Sequence, residues 1–341
     1  MRSLTSAISW VILCLMVHVC VASAQEPGRV YRVAWMWLGR PGWVAPPLEK
    51  WTGPPAAFRD ALQERSYVGG KNLIIDIRSA EGDASRYPAL AEVLVATRPD
   101  VLITVGGTAP LAAAMRATRT IPIVFFNAGN VVERGIVKGL VDHDPNVTGM
   151  NSQQSYAKTW QLLRNAAPTV RRIGFVAYAP NAWAYNNTPD NRAARMAKIA
   201  SDAASVGLEV VDLFVDSLDE LEPKIDALAG GGDAALFLSA DPVLHSWSTR
   251  IMEMAMRHRL PTTCSENWGA AGCVISYHPD THEIFRHAAA QVAKILSGTK
   301  AADIPIGQSM KFKLTINLKT AKALDLTVPT PLFALADEVI D

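Results

Sequence analysis

RPDVLITVGGTAPLAAAMRATRTIPIVFFNAG, residues 98–129, reads as a strand, a glycine turn, a helix and a second strand. The apolar run over 101–105 passes straight into Gly106 and Gly107, and the run over 121–126 ends at Asn127. Continuous apolar strands separated by helical stretches belong in a parallel sheet covered on both faces, because a sheet with one wet face alternates apolar and polar residues. Matching runs recur outward in both directions, over 30–37 and 73–77 on one side and over 173–177, 208–215 and 234–238 on the other. The stretches between them fit helices. Phe58, Ala61, Leu62 and Arg65 stand at helical spacing within 56–65, and the stretch 87–96 follows the cap candidates Asp83 and Ser85. The stretches 189–205 and 242–257 each open with a proline, which the first turn of a helix tolerates. The fold class is α/β.

A chain of 341 residues exceeds the usual span of one domain, about 100–200 residues, so two lobes are expected. The strand and helix alternation breaks near 144–149 and restarts with a fresh helix from about 152; further breaks lie near 274–279 and 301–308. These are the expected crossings between lobes. No charge block, low-complexity tract or short repeat interrupts the pattern.

The chain opens with Arg2, an apolar run over 8–21, and the small residues Ala22 and Ala24. That arrangement is an export signal, cleaved after Ala24, and the run is too short for the roughly 20 apolar residues that span a bilayer. Residues 1–24 are therefore read as a signal peptide and the mature protein as soluble and periplasmic. Lys and Arg number 33 and Asp and Glu 32, so loss of Arg2 leaves the mature chain neutral. Neutrality excludes a nucleic-acid or polybasic membrane role. Cys14 and Cys20 leave with the signal, and Cys264 and Cys273 remain in an oxidising compartment. They form a disulfide if 265–272 is a short helical connection that returns the chain beside its starting strand; otherwise they are two small buried residues on neighbouring strands.

Three stretches, YVGGKNLIIDIRSAEGDASRYPALAEVL over 67–94, the opening stretch over 98–129, and KFKLTINLKTAKALDLTVP over 311–329, occur together. They resemble the bacterial ABC-transporter substrate-binding protein family that includes tryptophan- and tyrosine-binding members, and the likeness runs from about residue 30 to the end. The resemblance implies a periplasmic-binding-protein-like I fold, with two doubly wound parallel-sheet lobes, a three-crossover hinge and a ligand closed between the lobes. On that reading 25–149 with about 277–306 forms one lobe, and 150–276 with about 307–341 the other. Two segments differ from the family pattern. WMWLGRPGW over 35–43 replaces a small Ser/Pro/Gly-rich loop, and YAPNAWAY over 178–185 replaces an Asn-Pro-x-Asn-Pro loop. Both are expected to face the cleft.

Ligands of open α/β sheets sit beyond the carboxyl ends of the strands. That rule nominates Gly107 and Thr108, whose amides and hydroxyl suit a carboxylate, unless Thr108 only caps a tight turn. Asn127 and Asn130 hold the equivalent place after the next strand, as amide readers or as turn formers. Asn181 and Asp241 lie in strand-end loops of the second lobe; Asp241 pairs with an amino group or caps the helix that Pro242 starts. Trp37 in one lobe, with Trp183 and Trp268 in the other, would sandwich a flat or apolar ligand, the alternative being core packing. No Lys-Ser/Thr follows the glycines, which excludes a nucleotide P-loop. Ser239, Asp241 and His245 lack a nucleophile elbow. His278 and His282 lack a third metal ligand, and Pro279 places His278 at a helix entrance, so they are read as a solvated pair.

The function expected is that of a monomeric solute-binding protein, without metal or cofactor, that hands an amino-acid-like or aromatic carboxylate or amide to a membrane ABC permease. A sensory binding module feeding a receptor and an exported enzyme on the same scaffold are the alternatives.

Overall fold

The apolar runs become the strands of two separate sheets. In the first, β2 (Leu73–Ser79), β1 (Tyr31–Trp37), β3 (Val101–Val105), β4 (Ile123–Phe126), β5 (Val147–Asn151) and β11 (Gly307–Gln308) lie side by side, and all pairings are parallel. In the second the order is β7 (Glu209–Val215), β6 (Arg172–Tyr178), β8 (Ala234–Leu238), β9 (Thr262–Cys264), β10 (Ile275–Pro279), β12 (Phe312–Asn317) and β13 (Glu338–Ile340). The computed structural model describes residues 28–341 apart from 40–41, 43, 127, 130, 133–134, 153–155 and 180–188. The expected signal peptide over 1–24 and the nominated Asn127, Asn130, Asn181 and Trp183 lie outside the described residues.

The expectation of purely parallel strands meets one exception, since β10 and β12 are antiparallel, with His278 opposite Lys313. The reason is connectivity. β12 follows β11 of the other sheet after three residues, so it enters the second sheet from the cleft, at the end where β10 finishes. The chain thus crosses between β5 and α4 (Tyr156–Ala166), between β10 and α9 (Thr281–Leu296), and between β11 and β12.

Helix α9 returns to the first sheet and packs with α1 (Gly53–Gln63) over one face, while α2 (Tyr87–Ala96) and α3 (Thr108–Ala117) cover the other. Strand alternation assigns β1 to both. Tyr31, Val33 and Trp35 join the α1/α9 core, and Ala34 and Met36 join the α2/α3 core. Trp35 is the centre of the first core, in edge contact with Phe58 at 5.1 Å, Phe126 at 5.3 Å and Trp51 at 5.6 Å between ring centroids. Removing such a ring costs about 3–5 kcal/mol. The second sheet is covered by α4, α5 (Pro189–Ala204), α6 (Leu218–Ala229), α7 (Pro242–Ser246) and α8 (Ser248–Arg257). The single helix expected over 242–257 is broken at Trp247, whose N–H reaches back to the carbonyls of Val243 and Leu244.

Cys264 and Cys273 are joined in a disulfide, with Cα atoms 6.5 Å apart. The connection between them is a string of turns rather than a helix, closed by bonds from Ala271 N–H and Cys273 N–H to Trp268 O.

Candidate ligand-binding cleft

Between the two sheets, at the carboxyl ends of β3, β6, β8 and β9, lies a cavity of about 470 Å³. Its first wall begins where β3 ends. Gly106 and Gly107 have φ of 81° and 93°, a region that side chains avoid, and this lets the backbone turn sharply into α3. Gly107 is the cap residue of α3, and among the described residues no side chain caps the helix. The N–H groups of its first turn therefore stand at the cavity wall with the positive end of the helix dipole, beside Thr108, which is 3% exposed. Ala128 and Gly129, from the loop after β4, extend this wall, and Tyr87 of α2 closes it.

The opposite wall comes from the second lobe. Asp241 follows β8 and caps α7, its Oδ1 accepting from Val243 N–H at 2.7 Å and Leu244 N–H at 3.3 Å. Asp241 is thus the cap read for it, and it also lines the cavity. Its charge is felt across the cleft: burial first, then Asp241, hold the Tyr87 hydroxyl above the ordinary tyrosine range. Tyr178, at the end of β6, is shifted the same way by burial and then by Asp241.

Ser265, Glu266 and Asn267, from the loop that the disulfide closes, continue the wall. Glu266 Oε2 accepts from the indole N–H of Trp268 at 3.2 Å and lies 3.7 Å from Nδ1 of His245. Burial raises its carboxyl to about 7, the indole hydrogen bond opposes that shift, and the charge of Asp241 adds to it. Partial burial holds His245 below the ordinary imidazole range.

The hinge end is formed by His278, Pro279, Thr281 and Phe285. His278 is 5% exposed, which corrects the expected solvated pair: it stands within β10, while His282 lies on the exposed first turn of α9. The ring bonds Pro279 O at 2.9 Å through Nδ1, so Nδ1 carries the proton and Nε2 is left as an acceptor with no partner among the described residues. Burial keeps the ring neutral by lowering its pKa. Phe175, Phe214, Met196 and Ile199 supply an apolar end in the second lobe.

Of the residues nominated from sequence, Gly107, Thr108 and Asp241 are brought together around the cavity. Trp37 and Trp268 are not. Trp37 has the same strand parity as Trp35 and packs against the α1/α9 core, and Trp268, 1% exposed, is buried beneath the Glu266 loop with its ring 5.6 Å from that of His245. Among the described residues the aromatic lining comes instead from Tyr87, Tyr156, Phe175, Tyr178, Phe214 and Phe285. Glu266 and His278 were missed as site residues; an acidic residue between two cysteines read as a disulfide was the available pointer to the first.

A family model described as ABC transporter substrate binding protein matches residues 55–340. The chain belongs to this family. As a substrate-binding protein it is 26% identical over 270 residues to the tyrosine-binding protein of Clostridioides difficile (strain R20291), a match that covers 79% of this chain and 75% of that one. Among solved structures, an ABC domain from Streptococcus pneumonia in complex with L-Trp matches with a TM-score of 0.78 at 21% identity, over 91% of this chain and all of that one. A conserved domain protein from Vibrio cholerae matches with the same TM-score and coverage at 24% identity. The fold of this substrate-binding protein is that of the type I periplasmic binding proteins, two parallel-sheet α/β lobes. Among its described residues no helix is long and apolar enough to cross a membrane.

Proposed function

We propose that this protein captures an α-amino acid with an aromatic side chain in the periplasm and delivers it to a membrane ABC permease. One observation carries the reading: a side-chain-free helix N-terminus on one lobe faces the carboxylates of Asp241 and Glu266 on the other, within a single cavity. The first partner suits a carboxylate and the second an ammonium, so a zwitterion would bridge the lobes. An ion at a helix terminus contributes about 0.3–2 kcal/mol, and a hydrogen bond to a charged group about 1.5–3 kcal/mol. The ring of the ligand would lie against Phe175, Phe214 and Phe285, where burial of an aromatic side chain adds the larger apolar contribution. The tyrosine-binding relative and the L-Trp complex of the structural neighbour support that class of ligand.

Because the two charged ends of the ligand would contact different lobes, the closed arrangement would bind it better than the open one, and that difference in affinity drives closure. The permease would then read the closed surface. The Arg2 start, apolar 8–21 run and Ala22/Ala24 site support export. A thermal-shift screen of the mature protein tests the proposal. L-Tyrosine, L-tryptophan or L-phenylalanine should raise the melting temperature saturably, the shift reflecting about 2.7 kcal/mol at a ligand concentration 100 times Kd. Stabilisation by sugars and by none of the amino acids would refute it.

A further inference from the structure

The short helix α7 touches both lobes, and two neighbouring residues divide the work. Leu244 is fully buried in the core of the second lobe, in one cluster with Val176, Leu238 and Ile251. Val243, the residue before it, packs instead against the α2/α3 core of the first lobe, the cluster that holds Leu38, Ala80 and Tyr87. Among the described residues no other apolar side chain carried by the second lobe joins a core cluster of the first. The placement has a local cause. Pro242 opens the turn, and Asp241 Oδ1 accepts from Val243 N–H at 2.7 Å and from Leu244 N–H at 3.3 Å, which fixes both backbone positions. Consecutive helical residues point about 100° apart, so a turn that sends Leu244 into its own core leaves Val243 facing another way, onto the other lobe. Val243 is not among the residues that line the cavity, whereas Asp241, two residues before it, and Tyr87 of the facing cluster both are. It therefore joins the lobes beside the ligand space without entering it.

We propose that Val243 is a latch across the cleft: it seats on the core of the first lobe when the lobes shut, and it slows the release of a ligand that it does not touch. The inference deepens the reading of a ligand closed between the lobes and rests on it. The contact is apolar, so its contribution comes from surface removed from water and is lost when the lobes part. It favours the shut arrangement over the open one, and it raises the affinity of any ligand that needs the shut arrangement. Asp241 connects the latch to the site. The side chain that lines the cavity also holds the N–H of Val243, so a ligand group bound there steadies the turn that carries the latch. Val243 is half-buried, and partial burial of a valine corresponds to about 3- to 10-fold in affinity.

The experiment is stopped-flow binding of L-tyrosine and L-tryptophan to the mature protein, with Val243→Ser and Val243→Ile beside wild type. Serine keeps the N–H that Asp241 accepts from and removes most of the apolar surface. Val243→Ser should release the amino acid about 3- to 10-fold faster while association changes by less than about twofold, because a contact made on closure acts on dissociation. Val243→Ile should release at the wild-type rate or more slowly. Since Val243 lies outside the core of its own lobe, ligand-free Val243→Ser should unfold at the wild-type denaturant midpoint. Val243→Ala carries the same comparison should the serine variant fail to fold. A wild-type release rate in Val243→Ser would overturn the latch while leaving the amino-acid reading intact. So would a lowered unfolding midpoint with unchanged release, the mark of a residue that only supports its own helix. If neither amino acid binds the wild-type protein, the reading on which the latch rests fails, a result distinct from the other two.

Discussion

The two walls of the cleft are built from the same kind of element, a strand end feeding a helix, yet they carry opposite chemistry. On the first lobe the described lining residues include no charged side chain: Gly106, Gly107 and Thr108 present backbone donors and a hydroxyl, framed by Leu38, Ala128 and Gly129. On the second lobe the corresponding turns carry Asp241, Glu266 and His245, and Arg195 of α5 also lines the cavity. The difference originates in the caps. Gly107 leaves the amides of α3 available, whereas Asp241 consumes the first amides of α7 and brings a negative charge with it. A helix terminus is thus an anion site or an acidic site according to one residue. On the proposed reading, a zwitterion would be held only when both lobes close.

The harshest way to break this comparison is to remove what supports the acidic wall. Trp268→Ala should cost about 3–5 kcal/mol in denaturant unfolding without ligand, as loss of a fully buried ring does. A variant of unchanged stability and lost affinity would instead return Trp268 to the ligand surface. Replacing Cys264 by Ser opens the loop that carries Glu266, with an expected loss of roughly 2–3 kcal/mol in the chain-entropy description. Free thiols in the unfolded, unreduced protein would deny that bridge.

Milder changes separate charge from scaffold. Asp241→Asn keeps an efficient cap but removes the charge, so melting should move little while amino-acid affinity falls roughly 10- to 100-fold, the worth of a charged hydrogen bond. On the neutral wall, Gly107→Ala meets no neighbouring atom, yet its φ of 93° is closed to side chains, and a stability loss of about 1–3 kcal/mol is expected from backbone strain alone. Smallest is Thr108→Val, which should weaken binding by about 0.5–1.5 kcal/mol, the net value of one neutral hydrogen bond. If Thr108→Val matched Asp241→Asn in effect, the two walls would not differ as described.

The scaffold was legible because both-face burial writes itself as uninterrupted apolar runs: β3 and β8 begin and end where the sequence places them. The glycine turn and Asp241 were legible for a related reason, since strand-end loops in a doubly wound sheet have only one place to go. Trp37 was read as a ligand surface for its size, while parity along β1 already set it on the face of Trp35, toward α1 and α9. His278 was obscured by the brevity of its strand, and Glu266 by its place in the turns that follow a short one. β9 has three residues and β10 five, too few for a period to declare which side chains face the cleft. The antiparallel entry of β12 depends on a hinge crossing, and no local pattern encodes it.

The central claim, that opposite walls read opposite ends of one zwitterion, is tested most directly by titrating the mature protein with L-tyrosine, tyramine and 3-(4-hydroxyphenyl)propionate, with the corresponding tryptophan series beside it. The intact amino acid should bind one-to-one, and each analogue, lacking the carboxylate or the ammonium, should bind roughly 10- to 100-fold more weakly. Equal affinity for all three, or saturable binding of a neutral sugar with none of the amino acids, would contradict the account.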